Sequence, residues 1–375
     1  MNQERISGSG EQVSAARRRF PVFAMVFFGI AIVAGACYIG FLCSESFSDF
    51  FNQRISSVIR AVLAHLTSWL PCSLAEFLLL LMPALLIALT VYGSRRFTDS
   101  WWDLWIYCGS ILSVGALVFS IFTIGFAPAY RGSRLDVKLG LTRRDVTAEE
   151  LYDTAMILTE RLAAEQENVV YSSATDFSIM PYNYSGMNDR LLAAYDDICA
   201  QHAFVQRLNS RIKPVMLSEA MSYTHITGVY TFFTGEANLN IAFPDYTLPY
   251  TAAHELAHQR GIAREDEANF MAFLVCQESE DAYIRYSGYM NLLEHVLSAL
   301  YTASPTLYRQ ACLALPSGVI GEMNAFSEFF DQYRDSVASD VSGTVNNTFL
   351  TMHGTEGTRS YGMVVDLAVA YFAED

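Results

Sequence analysis

Three long apolar runs fill the first third of the chain, and amphipathic, charge-bearing segments fill the rest. "FPVFAMVFFGIAIVAGACYIGFLC" (20–43) holds no charge. As a helix it would be about 36 Å long, enough for a hydrocarbon core of roughly 30 Å. "LAEFLLLLMPALLIALTVY" (74–92) carries only Glu76, near its start, and "WIYCGSILSVGALVFSIFTIGFA" (105–127) carries no charge. These runs predict three transmembrane helices. The alternative for the first is a cleaved signal peptide, or a lipoprotein signal using Cys37. Its length argues against both, and Ala34-Gly35-Ala36 fits the lipoprotein cleavage pattern poorly. Between the first two runs, "FFNQRISSVIRAVLAHLTSWL" (50–70) alternates apolar and polar positions with helical period and reads as an amphipathic helix lying at the interface.

From residue 128 the pattern becomes that of a globular, mainly helical α+β domain. "TAEELYDTAMILTERLAAEQ" places Thr147 and Glu150 at capping-box spacing and Leu151, Ala155, Leu158 and Leu162 on one stripe. Residues 186–210, 280–301 and 360–372 predict further amphipathic helices. The exception is 213–243, where "KPVMLS", "HITGVYTFF" and "EANLNIAF" predict short strands of a small sheet. In the last, Ala237, Leu239, Ile241 and Phe243 alternate with Glu236, Asn238 and Asn240, as on an edge strand with one face in water.

Composition and charge sharpen this division. With 52% hydrophobic and 17% charged residues, the chain is too apolar for an ordinary soluble enzyme. Of 24 basic and 39 acidic residues, eight and seven precede residue 128, so 16 and 32 follow it. A net charge of -15 excludes a general electrostatic grip on nucleic acid. Arg17, Arg18 and Arg19 precede the first run, and Arg95 and Arg96 lie between the second and third. The positive-inside rule puts both groups in the cytoplasm. The expected organisation is therefore a disordered cytoplasmic tail (1–19), a membrane anchor in the lipid bilayer (20–127) and an extracytoplasmic domain (128–375). Seven widely spaced cysteines give neither a disulfide framework nor a CxxC zinc pattern. Any metal must come from His and carboxylate.

"HELAHQRGIAREDEANF" (254–270) supplies that chemistry. Helical spacing puts His254 and His258 on one face, where two neutral imidazoles can share an ion. Glu255 points to the open side, where it can take a proton from bound water. Gly261 suits a helix stop, after which a second helix can begin near Arg264 with Glu265 and Asn269 on one face. Glu265 would complete three protein ligands, and Asn269 could hydrogen-bond a ligand histidine. Asp266 and Glu267 lie close enough to compete for that role. The bland reading of "REDE" is an acidic first turn stabilised by the helix dipole.

With its downstream Glu265-xxx-Asn269, HELAH looks like the gluzincin branch of zinc metallopeptidases. Three N-terminal spans followed by "TGVYTFFTGEANLNIAFPDYTLPYTAAHELAHQRGIAREDEANFMAFL" resemble a bacterial family known as domain of unknown function 3810, a predicted zincin-like group. The resemblance is densest over about 210–290, with an echo in "RSYGMVVDLAVAYF". It implies a zincin-like fold and a Zn2+ site, and no particular substrate. Arg264 stands where metzincins place their third histidine, which argues against that branch. Asn269 replaces the more usual Asp. The HELAH helix, flanked by Gln259, Arg260 and Glu265, lies outside the apolar runs, unlike intramembrane site-2 proteases.

Weaker assignments go to His225, Tyr223 and Tyr361 as oxyanion donors. Tyr286 reads as core, and His295 and His65 as ordinary amphipathic positions. The expected activity is hydrolysis of peptide or protein substrates, with an extended peptide paired to strand 236–243. The rival is a non-hydrolytic membrane receptor or scaffold that retains zinc for structure.

Overall fold

The computed structural model describes residues 19–96, 100–355 and 363–373. Three of its helices are long and apolar enough to cross a membrane: α1 (Val22–Cys43), α4 (Leu74–Arg96) and α5 (Trp101–Gly125). The second outruns its apolar stretch to reach Arg96. The third begins four residues early because the Ser100 hydroxyl accepts the Asp103 N–H. α1 packs along α5, while α4 leaves side chains such as Leu79 and Ile87 about two-thirds exposed. So large an apolar surface has no place in water.

Between α1 and α4 the chain forms α2 (Glu45–Phe51), one π-helical turn (Asn52–Ser56) and α3 (Ser57–Thr67). The amphipathicity here is inverted. Val58, Val62, Leu66 and Trp69 are exposed, whereas Asn52, Ser56, Arg60 and Thr67 are buried, Ser56 against α5 and the others against the following domain. That leaves the apolar face free for an interface, and the polar face is the one that packs on protein.

After α5, two short helices, α6 (Pro128–Arg131) and α7 (Leu135–Leu139), lead into α8 (Ala148–Gln166) and α9 (Tyr184–Gln201). The Thr147–Glu150 capping box forms, and its stripe of Leu151, Ala155, Leu158 and Leu162 is buried. Strands β1 (Lys213–Pro214), β2 (Gly228–Thr231) and β3 (Glu236–Leu239) follow, with α10 (Ser218–Ser222) after β1. Next come α11 (Thr247–Gln259), α12 (Glu265–Glu278), α13 (Ala282–Ala303), α14 (Pro305–Ala314), α15 (Ser317–Asp331), α16 (Val337–Met352) and α17 (Val364–Phe372). The main core is helical: α11 packs on α12, α12 on α13, and α13 on α8. Tyr286 lies inside it, as expected.

The sheet order is β1-β3-β2, parallel between β1 and β3 and antiparallel between β3 and β2. This corrects the expectation that 236–243 forms an edge. β3 is central, and its polar residues are buried with partners rather than solvated. Glu236 binds Lys213 Nζ at 2.6 Å and accepts the Leu74 and Ala75 N–H groups at the start of α4. Asn238 donates to the Val229 carbonyl, and Asn240 to the Ile226 carbonyl and the Ser222 hydroxyl. The edge beside the candidate site is β2.

Candidate metal centre

The site is built by two helices and a tight turn. Ile262 N–H reaches back to the Ala257 carbonyl and Gly261 N–H to that of His258, the paired bonds of a Schellman stop. Gly261 has φ +90°, and a Cβ there would lie 2.4 Å from the Arg60 guanidinium, so glycine is required both for conformation and for space. The chain reverses within five residues. Ala257 and Ala268, fully buried, let α11 and α12 approach closely.

This packing brings the Glu265 carboxylate to both histidines. Its Oε2 is 3.2 Å from His254 Nε2 and 3.4 Å from His258 Nε2. One donor atom from each of the three residues lies within 4.8 Å of the other two, and all three side chains are buried. His258 Nδ1 is 2.8 Å from the Ile262 carbonyl. A carbonyl only accepts, so Nδ1 carries a proton and Nε2 is the nitrogen that faces the cluster. Glu265 Oε2 and His254 Nδ1 are buried without a hydrogen bond. Two imidazoles and a carboxylate converging in one buried cluster are a donor set that could hold a metal ion.

Electrostatics point the same way. Burial alone would lower the His258 pKa, but the Glu265 carboxylate outweighs it and pushes the imidazole up to about 9. Burial would raise the Glu265 carboxyl, yet His258 and His254 hold it well below the usual carboxylate range. His258 and Glu265 thus form a buried, mutually stabilised pair. Burial raises Glu255, against the opposing pull of the two histidines. Its Oε2 has no partner.

The neighbouring acids are engaged elsewhere. Asp266 meets Arg143 Nη2 at 2.7 Å. Glu267 accepts the Leu135 N–H at 2.9 Å and pairs with Arg264 at 2.8 Å. Neither belongs to the cluster. Asn269 is buried beside His254 on the cleft wall.

The turn is also held from the membrane-proximal side. Asn52 Nδ2 donates to the Gly261 carbonyl at 3.0 Å, and its Oδ1 accepts from Arg60 at 2.8 Å. Arg60 donates further to the carbonyls of Asn52 and Gly125, so one buried cation joins the π-turn to the last residue of α5. Burial pulls its pKa down to about 10.

Two cavities meet at His254 and Glu255. One, of about 420 Å³, has mixed walls in which His225, Asn291, Glu294 and His295 stand among Phe243, Tyr250 and Phe326. The other, of about 530 Å³, is walled by Phe126, Tyr130, Tyr230, Phe232, Val345 and Phe349. α16 borders both through Ser342 and Asn346. His295, expected at an ordinary amphipathic position, therefore faces the cleft, where burial pulls its pKa down to about 4. His225 also borders the cleft, but its Nε2 lies 2.7 Å from the Tyr333 carbonyl, which fixes the proton on that nitrogen. Tyr223 is about half exposed, stacks edge-on with Tyr333 and lines neither cavity. Tyr361 lies outside the described residues. Sequence reasoning passed over Glu294, Asn291 and all of α16.

β2 forms one wall. The Asn240 N–H donates to the Thr227 carbonyl, so antiparallel alternation turns the backbone groups of Gly228 and Tyr230 away from β3. Gly228 has no room for a side chain, since a Cβ would lie 2.7 Å from Glu255 Cγ.

A mainly helical chain with three long apolar helices, a small sheet and a His/His/Glu cluster at a cleft is the class defined here. Residues 51–369 match the family described as Protein of unknown function (DUF3810), and the chain belongs to that family. No curated protein and no solved structure matches it.

Proposed function

We propose that this chain is a membrane-anchored zinc metallopeptidase, with His254, His258 and Glu265 as ligands and Glu255 as general base. The observation that carries the reading is the convergence of three buried donors in a cleft beside a buried, partly unpaired carboxylate. Bound zinc would supply Lewis-acid polarisation of a scissile carbonyl and of a water. Glu255 takes the proton of the attacking water and returns it to the departing amine, so its burial-raised pKa suits both steps. β2, rather than the strand first expected, turns the Gly228 backbone groups away from β3 toward an extended peptide, while the Tyr230 N–H holds Glu255. The rival receptor or scaffold would need a fourth protein ligand to close the site. Among the described residues the cluster has three.

The test uses the full chain in detergent. It should bind about one zinc, and Glu255→Gln should keep the metal while losing peptide hydrolysis by about 10²- to 10⁴-fold. Unchanged turnover in that variant would remove Glu255 from the mechanism.

A further inference from the structure

One half of the cleft adjoins the end of the apolar helix α5. The exposed apolar side chains of α5 end at Phe119, and Phe122, one turn later, is buried against Phe232 and Phe349. That step is about 4.5 Å along a helix. Phe126, the first residue past α5, places its ring 6.2 Å from that of His258. The path from an outward-facing apolar side chain to a candidate ligand is thus about two helical turns plus one ring contact. The β2–β3 turn rests on α3, where a Cβ on Gly235 would meet Leu63 and Ala64. The opposite face of α3 exposes Val58, Val62 and Leu66.

The two halves of the cleft differ accordingly. The aromatic half takes Phe126 and Tyr130 from the chain leaving α5, and Val229 and Val345 at its rim are 43% and 64% exposed. The mixed half takes every wall residue from position 224 onward, His225, Asn291, Glu294 and His295 among them. An occupant would lie with its more apolar stretch beside the end of α5 and its less apolar stretch away from it. The Gly228 N–H and carbonyl, turned away from β3, call for a polypeptide, because an acyl chain offers nothing to pair with them.

We infer that the substrates are polypeptides tethered to the bilayer, cut in the few residues next to their membrane anchor. This rests on the peptidase reading above. The step is plain hydrolysis: the amide C–N bond breaks, water's hydroxyl joins the carbonyl carbon and its proton goes to the amine. Nothing is oxidised or reduced.

The test reconstitutes the zinc-loaded full chain in phosphatidylcholine vesicles with one peptide library in three forms. The forms are free, N-terminally palmitoylated, and palmitoylated through a rigid spacer of about 20 prolines, roughly 60 Å long. The palmitoylated form should be cut at least about ten-fold faster than the free form, within about six residues of the anchor, and the spacer should abolish the gain. The spacer form is equally membrane-bound, so co-localisation alone would leave its rate high. Equal rates for the free and palmitoylated forms, or for the two lipidated forms, would overturn the inference and leave the peptidase reading intact. No cutting of any form would sink both. Release of fatty acid from the vesicles in place of peptide products would assign the cleft to lipid and overturn the inference.

Discussion

Glu265, Asp266 and Glu267 are chemically near-identical neighbours with three different roles, because about 100° of helical rotation per residue sends each to a different partner. Glu265 meets the histidines, Asp266 meets Arg143, and Glu267 holds Arg264 and the first N–H of α7. The first role was legible in sequence because its partners lie on the adjoining helix. Arg143 and Leu135 are more than 100 positions away from Asp266 and Glu267, and nothing local announces them. Glu294 makes a similar point about burial. Lost hydration raises its carboxyl to about 7, although Tyr246 donates a hydrogen bond to it. Between the ordinary value of 4.5 and about 7, the folded chain keeps a proton that the unfolded chain releases. Its contribution to stability therefore falls as pH rises through that window. Glu294→Gln, which can still accept from Tyr246, should raise stability by on the order of 2 kcal/mol near pH 8 and by about zero near pH 4. Paired thermal melts of the parent and variant at the two pH values check this; a pH-independent difference would contradict it.

At the scale of elements, the turn between α11 and α12 sets the site, and its sequence signal was complete: two spaced histidines, a stop glycine and an acidic first turn. What supports the turn was not legible. Asn52 and Arg60 look like the wet face of an amphipathic helix, as Glu236, Asn238 and Asn240 look like the wet face of a strand. Both patterns were misleading for one physical reason. Buried polar groups with distant partners leave the same periodicity as solvated ones. α16 escaped notice differently, since "VASDVSGTVNNTFLTM" is rich in Ser, Thr and Asn, which are weak helix formers. Because Asn52 ties the Gly261 carbonyl, Asn52→Ala should loosen the approach of Glu265 to the histidines. Zinc affinity should then fall by about 10-fold, as for other groups that orient ligands. A competition titration with a chromophoric chelator measures it, with far-UV circular dichroism confirming the fold, and unchanged affinity would show that the turn stands without this tie.

On the scale of the whole molecule, the three apolar helices and the domain are one connected object. Glu236 caps the start of α4, Arg60 holds the end of α5, and Phe126 touches His258. We propose from the arginines before α1 and at the end of α4 that the domain lies outside the cell. A cysteine introduced at exposed Ala200, in a chain lacking its seven native cysteines, should react with an impermeant thiol reagent on intact cells. Labelling only after lysis would reverse the orientation. The central claim is that His254, His258 and Glu265 hold a metal, and its most direct test is a zinc titration of the full chain beside Glu265→Ala and Glu267→Ala. The account predicts that Glu265→Ala weakens zinc binding by at least about 10-fold. Glu267→Ala should lower the melting temperature by freeing Arg264 and leave zinc affinity near that of the parent. Loss of zinc in Glu267→Ala with retention in Glu265→Ala, or no zinc binding by the parent chain, would contradict it.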